Sequence, residues 1–247
     1  MVVLPQWLTA VPIAHRGLHD NAAGVPENSL AAFEAAIRQG FPCELDVRLS
    51  ADEQLVVIHD ADLGRLTGTP GAVRQHTAAA LGRVSLLGTG HGVPTLAEVL
   101  DLVDGRVPLL VETKHAHPLD GRGIERALLS RLSGYRGEVA VHSFDPVAVL
   151  RLRRLGARCP LGQISGLLRS ADPVSRIIGR SMITNFLTRP DFVSYELDGL
   201  PCAAVACWRR RGCPVLAWPV CSAAQARRAH ESADNIIFSG FVPDSEQ

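Results

Sequence analysis

The chain has almost no lysine: of its 25 basic residues, Lys114 is the one that is not an arginine. It has no surplus of either charge, since 25 Asp plus Glu balance the 25 Lys plus Arg. A zero balance gives no electrostatic footprint for nucleic acid or an anionic membrane surface, so neither is expected as a partner. The one basic run, Arg209 to Arg211, reads as the solvated last turn of a helix, where cations complement the dipole. The six cysteines form no C-x-x-C pair and no zinc-like spacing, and are expected as small core residues in a reducing compartment. No apolar run approaches the length needed to span a bilayer. The first 14 residues carry no basic n-region and are broken by Pro5 and Pro12, so no stable membrane insertion is expected and a cytoplasmic location is.

Apolar material is plentiful: 47% of residues are hydrophobic and 20% charged, enough for a large core. A length of 247 residues suits one α/β barrel, so residues 1–247 are expected as a single domain. Short β-branched runs alternate with amphipathic stretches, the pattern of parallel βα units. The strand candidates are Pro12 to His15, Cys43 to Leu49, Leu109 to Thr113, Glu138 to Ser143, Pro160 to Ile164, Phe192 to Glu196, Pro214 to Ala217 and Asn235 to Phe238. Eight of them predict a closed (β/α)₈ TIM barrel. Helices are expected at Ser29 to Gln39, after Thr95 with Glu98 completing a capping box, and at five later stretches. Gln54 to Ile58 reads as the return strand of a hairpin after the second strand. The stretch of about 61–94 that follows is expected as a small, irregular insertion, a candidate lid.

Side chains alternate along a strand, so Glu44, Asp46 and Arg48 share one face of the second strand while Cys43, Leu45, Val47 and Leu49 share the other. A solvated antiparallel face would accommodate these charges. In a parallel barrel the same face points inward, where unpaired carboxylates are costly and a divalent cation resolves the cost. Glu112 and Lys114 repeat the arrangement at the end of the third parallel strand. A lone lysine in a chain that otherwise writes its cations as arginine points to a specific role, a point charge for phosphate oxygens. His15 closes the first strand and His59 closes the hairpin run. Either histidine alone is ordinary; two at strand ends beside three carboxylates shift the weight toward a functional role.

His15-Arg16-Gly17, Pro26-Glu27-Asn28-Ser29 with Ala32-Phe33, Glu44-Leu45-Asp46-Val47, His59-Asp60, Pro94 to Leu100 and Glu112-Thr113-Lys114 follow one another in this order. With these six fragments across its first half, the chain resembles the glycerophosphodiester phosphodiesterase family; Ser143-Phe144-Asp145 and Trp218 extend the likeness more weakly into the second half. The resemblance implies a (β/α)₈ barrel, Glu44, Asp46 and Glu112 as ligands of Ca²⁺ or Mg²⁺, and His15 and His59 as the acid/base pair, in which we take His15 as the base and His59 as the acid. It also implies that the insertion caps the barrel mouth. Hydrolysis then releases glycerol 3-phosphate and an alcohol from a small-molecule glycerophosphodiester. Arg16 and Lys114 supply further positive charge, and Glu27 and Asn28 orient substrate or metal-bound water unless Asn28 is an N-cap.

Near the C-terminus the sequence departs from the family pattern: Trp218-Pro219-Val220-Cys221 and Phe238-Ser239-Gly240 stand where a typical member has an Asn and a Thr-Asp pair. That puts the substrate's alcohol end in doubt. Phe192, Tyr195, Trp208 and Trp218 are candidates to stack on a choline-like group, more often core residues than ligands. Two other readings remain beside the hydrolase. One is a phospholipase-D-like lyase on lysophospholipids or sphingolipids, for which Leu86, Leu87, Phe186 and Leu187 could supply apolar surface, although no amphipathic membrane helix stands out. The other is a catalytically inactive metabolite-binding barrel. Oligomeric state is not specified by any of these residues.

Overall fold

The computed structural model describes residues 4–115, 123–169 and 172–243. Its strands are β1 (Ile13–Ala14), β2 (Cys43–Leu49), β3 (Leu55–Val57), β4 (Leu109–Thr113), β5 (Val139–Ser143), β6 (Leu161–Ser165), β7 (Phe192–Glu196), β8 (Val215–Val220) and β9 (Asn235–Phe238). The fold is the expected (β/α)₈ barrel, with β3 and the insertion added after β2. The residues cluster into two compact units, 14–139 and 1–13 with 140–247.

In the first unit β2 pairs in parallel with β4, from Cys43 opposite Leu109 to Val47 opposite Thr113, and antiparallel with β3. Both faces of β2 are buried from Cys43 to Val47, as a strand in a parallel sheet requires. The helix Leu30–Arg38 turns Phe33, Ala32 and Ala36 inward, and Ser29 caps it by accepting from the Ala32 amide. Thr95 and Glu98 form the predicted capping box at the start of the helix Leu96–Val103.

The insertion is not irregular. It forms short helical turns at Gly64–Thr67 and Ala78–Leu81, and Leu63, Leu66, Val73, Leu81 and Leu86 make a core with Val56 and Ile58 of the hairpin. The residues between are mostly Gly and polar, so no helical or strand period runs through the segment. Its order comes from apolar side chains that meet in space, which a periodicity search does not register.

In the second unit β5 to β9 pair in parallel in sequence order through β6, β7 and β8. The Asn235 amide donates to Leu8 O and Val11 O at 3.0 and 2.7 Å, fastening the N-terminal turn Trp7–Ala10 to β9. β8 runs on to Val220, past its expected end at Ala217, because a register shift between Ala217 and Val220 accommodates Pro219. Arg209 lies in the last turn of the helix Ala203–Arg209 and, with Arg210 and Arg211, is exposed as expected; it pairs with Asp234 at 2.8 Å, and Arg211 lies 5.8 Å from the Trp208 ring centroid. All six cysteines are free, as expected, but only Cys43 and Cys213 are buried; Cys221 is exposed.

Candidate active site

Parallel register builds the centre of the site. Asp46 on β2 stands opposite Glu112 on β4, and Glu44 lies two residues back on the same face. All three carboxylates are buried. Lys114, whose amide continues the ladder to Val47 O, brings Nζ to 2.6 Å from Glu112 Oε1 and 3.2 Å from Asp46 Oδ1. Burial works against its charge, but Glu112 and Asp46 outweigh this and raise its pKa. Glu44 is pushed up to about 8, by burial first and then by the charge of Asp46. For Asp46, burial acts upward but Lys114 and Arg16 win, holding it well below the carboxylate range.

The turn after β1 brings the next groups in. Arg16 and Gly17 both have positive φ, 57° and 76°, and a Cβ at Gly17 would stand 2.8 Å from the carbonyl carbon of Ala32. This tight turn aims the Arg16 amide at Glu44 Oε2 (2.9 Å) and its guanidinium at Glu27 Oε1 (2.6 Å) and Asp46 Oδ2 (3.4 Å). His15 Nε2 lies 4.0 Å from Glu44 Oε2. Burial, then the Arg16 charge, pushes His15 down to about 3, so its imidazole is neutral. Asn28, also in the left-handed region that Asn tolerates, donates from Nδ2 to Asp46 Oδ2 at 2.8 Å. It therefore orients a carboxylate, and the helix cap it could have been is Ser29.

His59 is placed by the hairpin. Arg48, on the Asp46 face of β2, donates from Nε and Nη2 to the His59 carbonyl at 2.9 and 2.7 Å. His59 Nδ1 and Asp60 Oδ1 share a 2.7 Å hydrogen bond. The pKa of His59 is lowered by burial, while Asp46 and Asp60 act the other way. Arg65 then closes the network from the insertion: Nε donates to Asp60 Oδ2 at 2.5 Å, and the two terminal nitrogens donate to both oxygens of Glu27. Burial would raise the Glu27 pKa, but the Arg65 hydrogen bonds and the Arg16 charge hold it down to about 2. Sequence reasoning missed Arg65, Arg48 and Asp60 as partners. Nothing in spacing separates Arg65 from Arg74 or Arg83, because its partner Glu27 is 38 residues away.

The donor set suits a hard divalent cation. Glu44 and Glu112 each offer a carboxylate oxygen within 4.8 Å of the other, with Asp46 Oδ1 beside Lys114 between β2 and β4. At Glu44, burial and the charge of Asp46 outweigh the opposing charges of Arg16 and Lys114 and the hydrogen bond from the Arg16 amide.

The remaining candidates lie in the second unit. Trp218, on β8, packs edge-on against Phe144 with ring centroids 5.4 Å apart and is half-buried. Phe192 and Tyr195 are buried, while Trp208 packs against Phe186. Leu86 is likewise buried in the insertion core, whereas Leu87, Phe186 and Leu187 are exposed.

Strand-end carboxylates, two histidines and paired cations on a (β/α)₈ barrel define a metal-assisted phosphoester hydrolase class. A profile of the glycerophosphoryl diester phosphodiesterase family matches residues 15–241, and the chain belongs to that family. It is thus an enzyme that hydrolyses glycerophosphodiesters, in a family that depends on a divalent metal; the lyase and inactive-barrel readings are not favoured. The YhdW protein of Bacillus subtilis (strain 168) is 30% identical over 84% of this chain and 85% of its own. A glycerophosphodiester phosphodiesterase of Caldanaerobacter subterraneus subsp. tengcongensis is 33% identical over 61% of this chain and 64% of its own. Among solved structures, a glycerophosphodiester phosphodiesterase from Thermotoga maritima superposes with a TM-score of 0.72 at 25% identity, covering 93% of this chain and 94% of its own. A phosphodiesterase from Oleispira antarctica, solved with its product sn-glycerol-3-phosphate, shares the fold with a TM-score of 0.77 at 21% identity, covering 94% of each chain. Among the described residues, no helix is long and apolar enough to cross a membrane.

Proposed function

We propose that Glu44, Asp46 and Glu112 hold the divalent cation, Ca²⁺ or Mg²⁺, and that His15 and His59 are the base and acid of the hydrolysis. The register pairing of Asp46 with Glu112, with Glu44 on the same buried face, is the observation that carries the reading. When bound there, the cation supplies charge stabilisation to the phosphate oxygens. Arg16 and Lys114, both already set against these carboxylates, add positive charge on the same side. Neutral His15 takes the proton of the attacking oxygen. His59, whose Nδ1 is held by Asp60 Oδ1 at 2.7 Å, protonates the departing alcohol. Asn28 orients Asp46, and Glu27 orients Arg16. Trp218 borders the alcohol end of the substrate, with Phe144 fixing its ring.

The same proposal takes residues 1–247 as one barrel domain with the insertion as cap. It has the enzyme act on small soluble glycerophosphodiesters in the cytoplasm, and six free cysteines support a reducing compartment. The test is release of glycerol 3-phosphate from glycerophosphocholine and glycerophosphoethanolamine, with Ca²⁺ or Mg²⁺ and then with chelator, by wild type and His15→Ala. Metal-dependent turnover that falls about 10²- to 10⁴-fold in the variant is expected. Turnover unchanged in His15→Ala, or indifferent to chelator, overturns the assignment.

A further inference from the structure

Between Pro173 and Thr188 the usual order of apolar inside and polar outside is inverted. The helix Pro173–Ser181 has no buried residue, yet Val174, Ile177 and Ile178 recur on it at helical spacing, Ile177 being 68% exposed. Met182 then anchors the chain, buried to 1% exposure. In the turn Asn185–Thr188 that follows, the buried residues are the polar Asn185 and Thr188, while Phe186 and Leu187 stand 58% and 68% exposed beside Ile183. Among the described residues of their unit, six of the ten exposed large apolar side chains fall in this one segment, and such a concentration marks an interaction surface.

Charge identifies the occupant. From Pro173 to Pro190 there is no acidic residue, and Arg176, Arg180 and Arg189 are all exposed. Arg211 adds a cation 5.8 Å from the Phe186 ring centroid. The balanced net charge of the chain therefore conceals a local cationic, apolar strip. A second copy of the chain in a two-fold interface would set this strip against itself, arginine against arginine. An anionic lipid surface complements both properties at once: apolar side chains enter the headgroup boundary and guanidinium groups meet phosphates.

We propose that residues 173–188 dock peripherally on an anionic phospholipid bilayer. The helix lies along the surface and does not span it. The experiment is flotation of the full chain with vesicles of phosphatidylcholine alone and of phosphatidylcholine with phosphatidylglycerol. Binding is expected on the phosphatidylglycerol vesicles and should weaken as salt rises from about 0.05 to 0.5 M. Ile177→Ser/Ile183→Ser/Leu187→Ser and Arg176→Gln/Arg180→Gln should each weaken binding about tenfold or more. Both variants should keep the wild-type melting temperature and rate on soluble glycerophosphocholine, because they alter exposed side chains only. Failure of the wild type to bind either vesicle overturns the proposal, and so does equal binding by the variants. Sedimentation of the lipid-free chain covers the competing occupant: dimerisation that the serine variant abolishes, without lipid binding, assigns the strip to a second copy instead.

Discussion

Arg65 grips Glu27 with both terminal nitrogens, Nη1 to Oε2 at 3.0 Å and Nη2 to Oε1 at 2.8 Å. The fork is planar and bidentate, the strong form of a carboxylate pair. Because Arg65 Nε also reaches Asp60, whose other oxygen meets His59, one arginine of the insertion steadies groups from two other segments. Arg65→Ala should lower kcat about 10- to 100-fold, the usual cost of losing a group that orients a site residue. KM should change less. Arg65→Lys should recover little, because an ammonium cannot make the fork. A kcat equal to wild type in steady-state assays of Arg65→Ala would remove the insertion from the mechanism.

Glu27 also makes a stability prediction. Its folded pKa, about 2, lies below the ordinary value of 4.5, so its contribution is complete above that ordinary value and is lost as pH falls toward 2. Urea unfolding midpoints of the wild type should therefore decline between about pH 4.5 and 2. In Glu27→Gln the midpoint should be lower at neutral pH and the decline shallower. Parallel curves for the two proteins would mean that other carboxylates carry the acid sensitivity.

Cation binding by the buried carboxylates should appear in the melting temperature without any assay of turnover. At a cation concentration about 100 times its Kd, the folded state gains roughly 2.7 kcal/mol. Ca²⁺ or Mg²⁺ should thus raise the melting temperature of the wild type and chelator should reverse the rise. Glu112→Gln should abolish the shift while remaining folded. An undiminished shift in this variant would move the cation elsewhere.

Leu81 is fully buried in the core of the insertion. Leu81→Ala should cost about 2–5 kcal/mol in that segment, read by hydrogen exchange of the 61–94 amides. Since the same segment carries Arg65, activity should fall with it. A change below about 0.5 kcal/mol would mean that the segment does not pack as a core.

The turn at Gly17 has little tolerance. At φ 76°, with Ala32 backbone 2.8 Å from where a Cβ would stand, Gly17→Ala should destabilise by about 1–3 kcal/mol and displace His15 and Arg16. Loss of activity larger than loss of stability is the expected signature, measured by kcat alongside urea unfolding.

Much of the site was legible before any coordinates. Alternation on β2 put Glu44 and Asp46 on one face, and the apolar run before Glu112 put it at a strand end. The order of short motifs pointed to the family that the comparisons establish. The insertion was legible in extent but not in order, because Leu63, Val73 and Leu81 follow no period. Of the strip at 173–188, Phe186 and Leu187 alone were read as apolar surface: Val174, Ile177 and Ile178 have the spacing of a core-facing helix, and only their exposure in the fold shows that they face outward.

The sequence by itself determined the barrel, the strand faces and the residue types of the site, since periodicity and motif order are properties of neighbours along the chain. Tertiary structure alone decided that Lys114 joins Asp46 to Glu112, that Asn28 serves Asp46 rather than a helix, and that Arg65 serves Glu27 and Asp60. Those choices depend on distances between segments remote in sequence, fixed by β-ladder register and by the paths of the turns, and no local preference of the chain encodes them.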